Sequence, residues 1–144
     1  RTWRVLVGVT VDQAAFDDLA ALAGPGIIIE RSRSDFTALV TNAALSISQG
    51  GYNTVMEVLE AGTRAVIVPY AGGAETEQTL RAKELARRTP IEVVAAGSLS
   101  PESLAAAVDT AWRRDPPENG MLDTNGAAAA AGLIADWATA VEWS

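Results

Sequence analysis

The sequence contains no cysteine and no histidine among its 144 residues. Without cysteine the chain can form neither disulfides nor thiolate metal sites. Without histidine it lacks the side chain that most often serves as a general base and as a metal ligand. Its chemistry therefore depends on carboxylates, hydroxyls and backbone groups, or on a base supplied from elsewhere.

Positive charge is also scarce, because 11 lysines and arginines face 18 acidic residues and the net charge is −7. Nucleic acids and anionic membrane surfaces are excluded as expected partners, since both require a basic patch. A small anionic ligand is not excluded. Backbone N–H groups at the start of a helix can hold such a ligand with little formal positive charge.

No apolar run reaches the roughly 18–20 residues of a membrane span, and no signal peptide is visible. We therefore expect a cytoplasmic protein without a membrane span. The length fits one domain over residues 1–144. Because the first predicted strand begins almost at Arg1, we expect this domain to be a fragment of a longer, two-domain protein.

The hydrophobic pattern predicts strands that alternate with helices. Short, wholly apolar strands separated by helices favour a parallel sheet covered on both faces, which is a three-layer, Rossmann-like α/β fold. In such folds ligands bind beyond the carboxyl ends of the strands. The predicted strands are Trp3–Gly8, Ile27–Ile29, Ala44–Ser48, Ala65–Val68 and Ile91–Val94, and the predicted helices cover about 13–23, 36–42, 53–61, 75–88, 101–114 and 126–142.

The stretch Ser46–Glu57 is the most informative segment, because a strand ends there, two glycines follow, and a helix begins. Glycines let a phosphate approach the backbone, and the helix start offers N–H groups and a positive dipole end. The hydroxyls of Ser48 and Thr54 and the amide of Asn53 can add hydrogen bonds. Gly50 and Gly51 fit equally well a tight turn that needs glycine for its dihedral angles.

Glu57 follows Asn53 by one helical turn, so both residues are predicted on one helix face. A carboxylate there can accept two hydrogen bonds from the diol of a ribose. The spacing fits a second interpretation better, in which Thr54 caps the helix and Glu57 completes a capping box.

A second polar stretch, Pro69–Gln78, follows the next strand. Thr76, Glu77 and Gln78 offer hydrogen-bonding groups of the kind that sugar hydroxyls require. Acidic residues are also common in first helical turns because they complement the helix dipole. No GxGxxG motif, Walker A motif or aspartate cluster is present, so NAD, ATP and a metal ion are not expected.

The combined pattern resembles the C-terminal domain of family 28 glycosyltransferases. The resemblance rests on Ser48–Leu59, Gly62, Ala65–Pro69, Glu77–Gln78 and Arg81–Ala82, and it is strongest to a bacterial branch of predicted glycosyltransferases with the same Gly-Gly-Tyr-Asn-Thr loop. It implies the C-terminal domain of a GT-B fold, which binds the donor nucleotide. The muramyl-pathway members of the family have Gln-Gln where this chain has Glu77-Gln78, so the sugar can differ.

The resemblance also implies roles for individual residues. The loop at Ser32-Arg33 matches the place where the nucleobase is read, partly through backbone groups. Glu57 matches the acid that holds the ribose, and Glu77 and Gln78 match a polar pair that contacts the donor sugar. The residues that match the diphosphate-binding turn are Gly50, Gly51, Tyr52, Asn53 and Thr54.

The resemblance implies a donor-binding domain for a nucleotide-diphosphate sugar, most simply a UDP-sugar, whose hexose is transferred to an acceptor hydroxyl. The acceptor and the catalytic base belong to an N-terminal domain of the same protein, so no catalytic residue, metal or cofactor is expected in this chain. Two alternatives stay open, a nucleotide-sugar 2-epimerase domain and a non-catalytic nucleotide-sugar-binding module. Apolar residues of the last helix, Leu133, Ile134, Trp137 and Trp143, would contact either the other domain or the sheet of this one.

Overall fold

The computed structural model describes residues 2–70, 77–118 and 126–140, with the side chains of Glu77, Gln78, Arg81 and Ala140 excepted. Strands and helices alternate over most of this length, as predicted. The elements are β1 (Trp3–Val7), α1 (Gln13–Ala21), β2 (Ile27–Arg31), α2 (Phe36–Thr41), β3 (Ser46–Ser48), α3 (Tyr52–Glu60), β4 (Ala65–Ile67), α4 (Glu77–Arg88), β5 (Glu92–Val93), α5 (Pro101–Arg113) and α6 (Gly126–Ala140). A short 3₁₀ helix at Ala96–Ser98 was not predicted.

The chain divides into two compact units, Arg1–Leu39 and Val40–Ser144. The first unit contains a two-stranded sheet, β1-β2, and the second contains a three-stranded sheet, β3-β4-β5. Every strand pair in the described ranges is parallel, as the sequence predicts.

In the first unit, β2 continues two residues beyond its apolar run. Leu6 pairs with Glu30 and Val7 with Arg31. Arg4 forms an ion pair with Glu30 at 2.5 Å, which satisfies the charge within the strand. The Arg31 guanidinium donates to the backbone oxygens of the loop before α1 and lies 4.3 Å from the centre of the Phe16 ring. Because these partners stabilise the charged residues, β2 extends beyond the strand that the apolar pattern alone predicts.

In the second unit, β4 is the central strand and is buried along its whole length. Val66 is fully buried and forms a core with Val94 of the segment after β5 and Ala111 of α5. Helix α3 buries Val55, Val58 and Leu59. This core fixes the ends of β3 and β4, from which the candidate site is built.

Three helix ends have residues whose chemistry suits a cap. The Asp12 carboxylate accepts a hydrogen bond from the Ala15 amide at the start of α1. Gly62 has φ of 61° after α3, and the Thr63 amide donates to the Val58 oxygen, which is the Schellman pattern. Ser100 caps α5 and is followed by Pro101 at the first helical position.

Helix α6 exposes apolar residues for which the sequence analysis expected a contact with either the other domain or the sheet of this one. Leu133, Ile134 and Trp137 are all largely exposed. The interpretation in which these three side chains pack on the domain's own sheet is therefore wrong. Trp143 lies outside the described residues.

Candidate functional site

The candidate site begins at the turn between β3 and α3, where Gly50 is required by the backbone. Gly50 has φ of 75°, in the left-handed region that side chains disfavour. A Cβ at this position would lie 2.7 Å from Cγ2 of Ile67 in β4. The tight-turn interpretation therefore explains Gly50 completely.

Gly51 is different, because neither its conformation nor its surroundings demand glycine. Its φ of −56° and ψ of 144° are open to other residues. In the part of the chain that the structure describes, no atom of a residue beyond its chain neighbours lies within 4 Å of a Cβ built at this position. The space beside Gly51 is thus open to a ligand that approaches the backbone.

Gly51 is also the N-cap of α3, and no side chain among the described residues caps this helix. Helix geometry leaves the first N–H groups without intrahelical partners. Within the described residues, the backbone amides of Asn53 and Thr54 make no hydrogen bond. The hydroxyl of Ser48 accepts a hydrogen bond from the Gly50 amide at 3.3 Å, which leaves its own proton available. The start of α3 therefore presents donors suited to an anion.

The capping-box interpretation of Thr54 and Glu57 is wrong, because the helix starts three residues earlier than it requires. With Gly51 as N-cap, Thr54 is already the third helical residue and Glu57 lies in the second turn. Glu57 is half-buried and one turn beyond Asn53 on the same side of the helix. A role of its carboxylate in helix capping is thereby removed, and its role with a ribose stays a prediction.

The described start of the second polar stretch, Pro69-Tyr70, lies at the same edge of the sheet as the Gly50–Gly51 turn. β3 and β4 are parallel, with Ser48 paired to Ile67, and the Val68 amide donates to the Ser48 oxygen at 2.8 Å. Both strands therefore end together. Since β5 is parallel to β4, α4 runs back across the sheet and begins near this edge, at Glu77. Thr76 and the side chains of Glu77 and Gln78 lie outside the description, so their sugar contacts stay predictions.

Two tyrosines at this edge remain exposed although each borders a buried strand or helix. Tyr52 opens α3 and is 59% exposed, and Tyr70 follows β4 and is 63% exposed. The sequence analysis assigned a role to Tyr52 and placed Tyr70 in the second polar stretch without a role of its own.

Arg33 lies in the first unit, where its side chain is held by neighbouring acids. Its Nε and Nη2 donate to the two carboxylate oxygens of Asp35 at 2.8 and 2.7 Å, and its Nη1 lies 3.5 Å from Glu30. Hydrogen bonds from Arg33 lower the pKa of Asp35, and the hydrogen bond from Arg4 lowers that of Glu30. With the guanidinium so engaged, backbone groups are the better candidates for reading a base in this loop. That role stays a prediction.

Among the described residues, no group of three acidic side chains could hold a metal ion. None of the described helices is both long and apolar enough to cross a bilayer.

Comparison with known families identifies the chain. The family model described as glycosyltransferase family 28 C-terminal domain matches residues 13–134. The chain belongs to this family. The recognition made from the Gly-Gly-Tyr-Asn-Thr loop and its flanking motifs is thereby confirmed.

Relatives of this family 28 domain are named as sugar transferases. The protein named UDP-N-acetylglucosamine--N-acetylmuramyl-(pentapeptide) pyrophosphoryl-undecaprenol N-acetylglucosamine transferase in Mesorhizobium japonicum is 36% identical over 106 residues, which are 69% of this chain and 28% of that protein. The protein of the same name in Brucella anthropi is 30% identical over 133 residues, or 90% of this chain and 36% of the relative. The chain thus spans about a third of the length of these relatives.

Solved structures establish the fold class of the family 28 domain. MurG of Acinetobacter baumannii matches 82% of this chain and 39% of its own, with a TM-score of 0.58 and 24% identity. The glycotransferase of kitacinnamycin matches 78% of this chain and 27% of its own, with a TM-score of 0.60 and 19% identity. VinC, crystallised in complex with dTDP, matches 78% of this chain and 34% of its own, with a TM-score of 0.58 and 17% identity. The predicted Rossmann-like α/β fold of GT-B glycosyltransferases is confirmed.

Proposed function

We propose that this family 28 domain binds a nucleotide-diphosphate sugar, most simply a UDP-sugar. In the whole protein the bound donor would transfer its hexose to an acceptor hydroxyl. The acceptor and the catalytic base come from an N-terminal domain of the same protein. We place that protein in the cytoplasm, where nucleotide sugars are available.

The observation that supports the proposal most strongly is the open, uncapped start of α3. Gly51 leaves space beside the backbone, and the amides of Asn53 and Thr54 make no hydrogen bond within the described residues. A diphosphate that docks there accepts hydrogen bonds from these amides and meets the positive end of the helix dipole. This environment stabilises the charge of a departing nucleotide diphosphate without a metal ion.

The ribose and the sugar are assigned to neighbouring residues of the same unit. The Glu57 carboxylate lies one turn along α3 from the docked diphosphate and accepts hydrogen bonds from the ribose hydroxyls. Thr76, Glu77 and Gln78 bind the hexose hydroxyls, and Ser48, Tyr52 and Thr54 surround the diphosphate.

The names of relatives support this class of donor. The relatives in Mesorhizobium and Brucella are named for UDP-N-acetylglucosamine, and VinC was crystallised with dTDP. These ligands share a pyrimidine nucleoside diphosphate. By analogy, we infer that the donor of the present chain is also the sugar derivative of a pyrimidine nucleoside diphosphate.

The test is calorimetric titration of the full chain with UDP, UDP-N-acetylglucosamine and GDP-mannose, with EDTA present. The proposal expects saturable 1:1 binding of UDP and of the UDP-sugar without added metal. Absence of binding to all three ligands, or binding that requires a divalent cation, would contradict it. With the whole protein, conversion of the free donor to its 2-epimer in the absence of acceptor would instead favour the epimerase alternative.

A further inference from the structure

Helix α6 is exposed to solvent along its described length, residues 126–139. It has 15 residues, and a helix of this length is only marginally stable in water on its own. Its exposed side chains include three large apolar ones, at 71% for Leu133, 64% for Ile134 and 68% for Trp137. Because clustered apolar side chains in solvent mark a surface where another molecule binds, we expect α6 to have a partner.

The apolar residues of α6 form a stripe along one side of the helix. Four of them are spaced by three, four and three residues, which places them on one helix face. They are Ala127, Ala130, Ile134 and Trp137. Asp136, the one charged residue in the sequence 126–139, lies on the opposite side, where its backbone oxygen accepts from the Thr139 hydroxyl at 2.9 Å. The apolar stripe therefore contains no charge that an interface would have to bury.

The apolar stripe is complementary to itself when two copies of it run antiparallel. Its first half consists of alanines, and its second half contains the large residues Ile134 and Trp137. Across a two-fold axis halfway along the stripe, Trp137 of one copy faces Ala127 of the second. Ile134 faces Ala130 in the same way. Large side chains opposite small ones let two helices pack closely, and the two-fold axis makes each contact twice.

We propose that α6 is a dimerisation surface, on which a second copy of this chain docks through an antiparallel pair of apolar stripes. The uncharged stripe suits this partner, because two facing charged surfaces of a chain with net charge −7 would repel each other. The inference is independent of donor binding, since no residue assigned to the donor lies in α6.

The size of the apolar stripe indicates a reversible dimer. Specific protein interfaces bury about 1,000 Å² or more. Two Trp137 rings contribute roughly 300–500 Å² of buried surface. With the Ile134 and Leu133 side chains of both copies, the pair reaches the lower end of the range for specific interfaces. We therefore expect dissociation in the micromolar range of concentration.

Sedimentation equilibrium of the full chain at high salt tests the proposal, since salt screens the repulsion between the two copies. The wild-type chain is expected to pass from monomer to dimer as its concentration rises. Trp137→Ala is expected to weaken the dimer at least about 10-fold, because the aromatic contact is lost at two places. Leu22→Ala is the matched control with unchanged association, since Leu22 is 76% exposed but lies at the end of α1.

A pair of substitutions tests the antiparallel arrangement itself. Ala127→Trp alone is expected to weaken the dimer, because it sets two large rings against each other. Adding Trp137→Ala to this variant again places a large residue opposite a small one. The double variant is therefore expected to associate more tightly than either single variant, a recovery that a general loss of folding cannot produce.

Three results would overturn the inference about α6. A wild-type chain that stays monomeric at all concentrations would leave the apolar stripe to another occupant, such as the N-terminal domain of the whole protein. Dimerisation that Trp137→Ala leaves intact would place the interface elsewhere in the chain. A double variant that associates no more tightly than Ala127→Trp alone would exclude the antiparallel pairing.

Discussion

At the scale of single residues, the two adjacent glycines of the β3–α3 turn have separate roles. Gly50 combines a φ of 75° with close contact to Ile67, whereas Gly51 has neither constraint. A sequence pattern treats the pair as one signal. The structure assigns backbone geometry to Gly50 and leaves Gly51 as the place where a ligand can approach.

Gly50→Ala is expected to lower the free energy of unfolding by about 2–5 kcal/mol, because left-handed strain and steric overlap add. Gly51→Ala is expected to cost less than about 1 kcal/mol, the scale of an N-cap change. Its new methyl group is expected to weaken UDP binding nonetheless. Thermal unfolding and calorimetric titration of both variants check this separation.

A double variant isolates the overlap from the backbone strain at Gly50. Adding Ile67→Ala removes the Cγ2 atom that the new Cβ meets, so the two substitutions are expected to couple favourably by about 0.5–3 kcal/mol. Purely additive losses would mean that overlap does not contribute. A Gly51→Ala variant as unstable as Gly50→Ala would contradict the division of roles.

Glu57→Gln is expected to weaken UDP binding by about 1–3 kcal/mol, because a charged acceptor of ribose hydrogen bonds becomes neutral. Glu60→Gln is the matched control, since Glu60 is exposed at the other end of the same helix. Calorimetric titration with UDP measures the affinity of both variants, and their melting temperatures report the change in stability. A loss of stability in Glu57→Gln with unchanged affinity would assign the carboxylate a structural role.

At the scale of elements, the helix starts follow from local chemistry to different degrees. Ser100 and Pro101 are residue types typical of a helix start, and α5 begins there. The Ser103 amide donates to the Ser100 hydroxyl, and the Ser103 hydroxyl in turn accepts a hydrogen bond from the Ser100 amide at 2.8 Å. Helix α3 begins at a glycine without a capping side chain, so its sequence contains no cap to find. The sequence pattern therefore predicts a cap at Thr54, three residues after the observed N-cap.

Ser100→Ala is expected to lower the free energy of unfolding by about 0.5–2 kcal/mol, the cost of losing a helix cap. Ser98→Ala is a suitable control, because among the described residues the Ser98 side chain makes no hydrogen bond. Denaturant unfolding of the two variants measures the difference. Equal stability of both would show that Ser100 does not act as a cap.

The strands were predictable where burial dictates their composition. β4 is apolar throughout because both its faces are covered, and its position was predicted to within one residue. β2 extends through Glu30 and Arg31, because tertiary partners compensate the charges, and no local pattern contains that information.

At the scale of the whole molecule, this family 28 domain corresponds to about a third of its relatives' length. The alternation of strands and helices predicted the fold class, and the carboxyl-edge rule predicted where polar loops gather. The residues proposed to contact the donor were assigned from the family resemblance, because spacing alone gives Glu57 and Gly51 more than one interpretation.

The isolated chain is expected to bind UDP-sugar but to transfer no hexose, because the acceptor and the base are assigned to another domain. Incubation with UDP-N-acetylglucosamine and a lipid-linked acceptor, followed by detection of released UDP, checks this expectation. Sustained turnover by the isolated chain would show that it contains its own catalytic base.

A crystal structure of the chain with UDP tests the central claim most directly. The account predicts the diphosphate at the start of α3, with its oxygens within hydrogen-bonding distance of the Asn53 and Thr54 amides and the Glu57 carboxylate on the ribose. UDP bound with its diphosphate away from this helix start would contradict it.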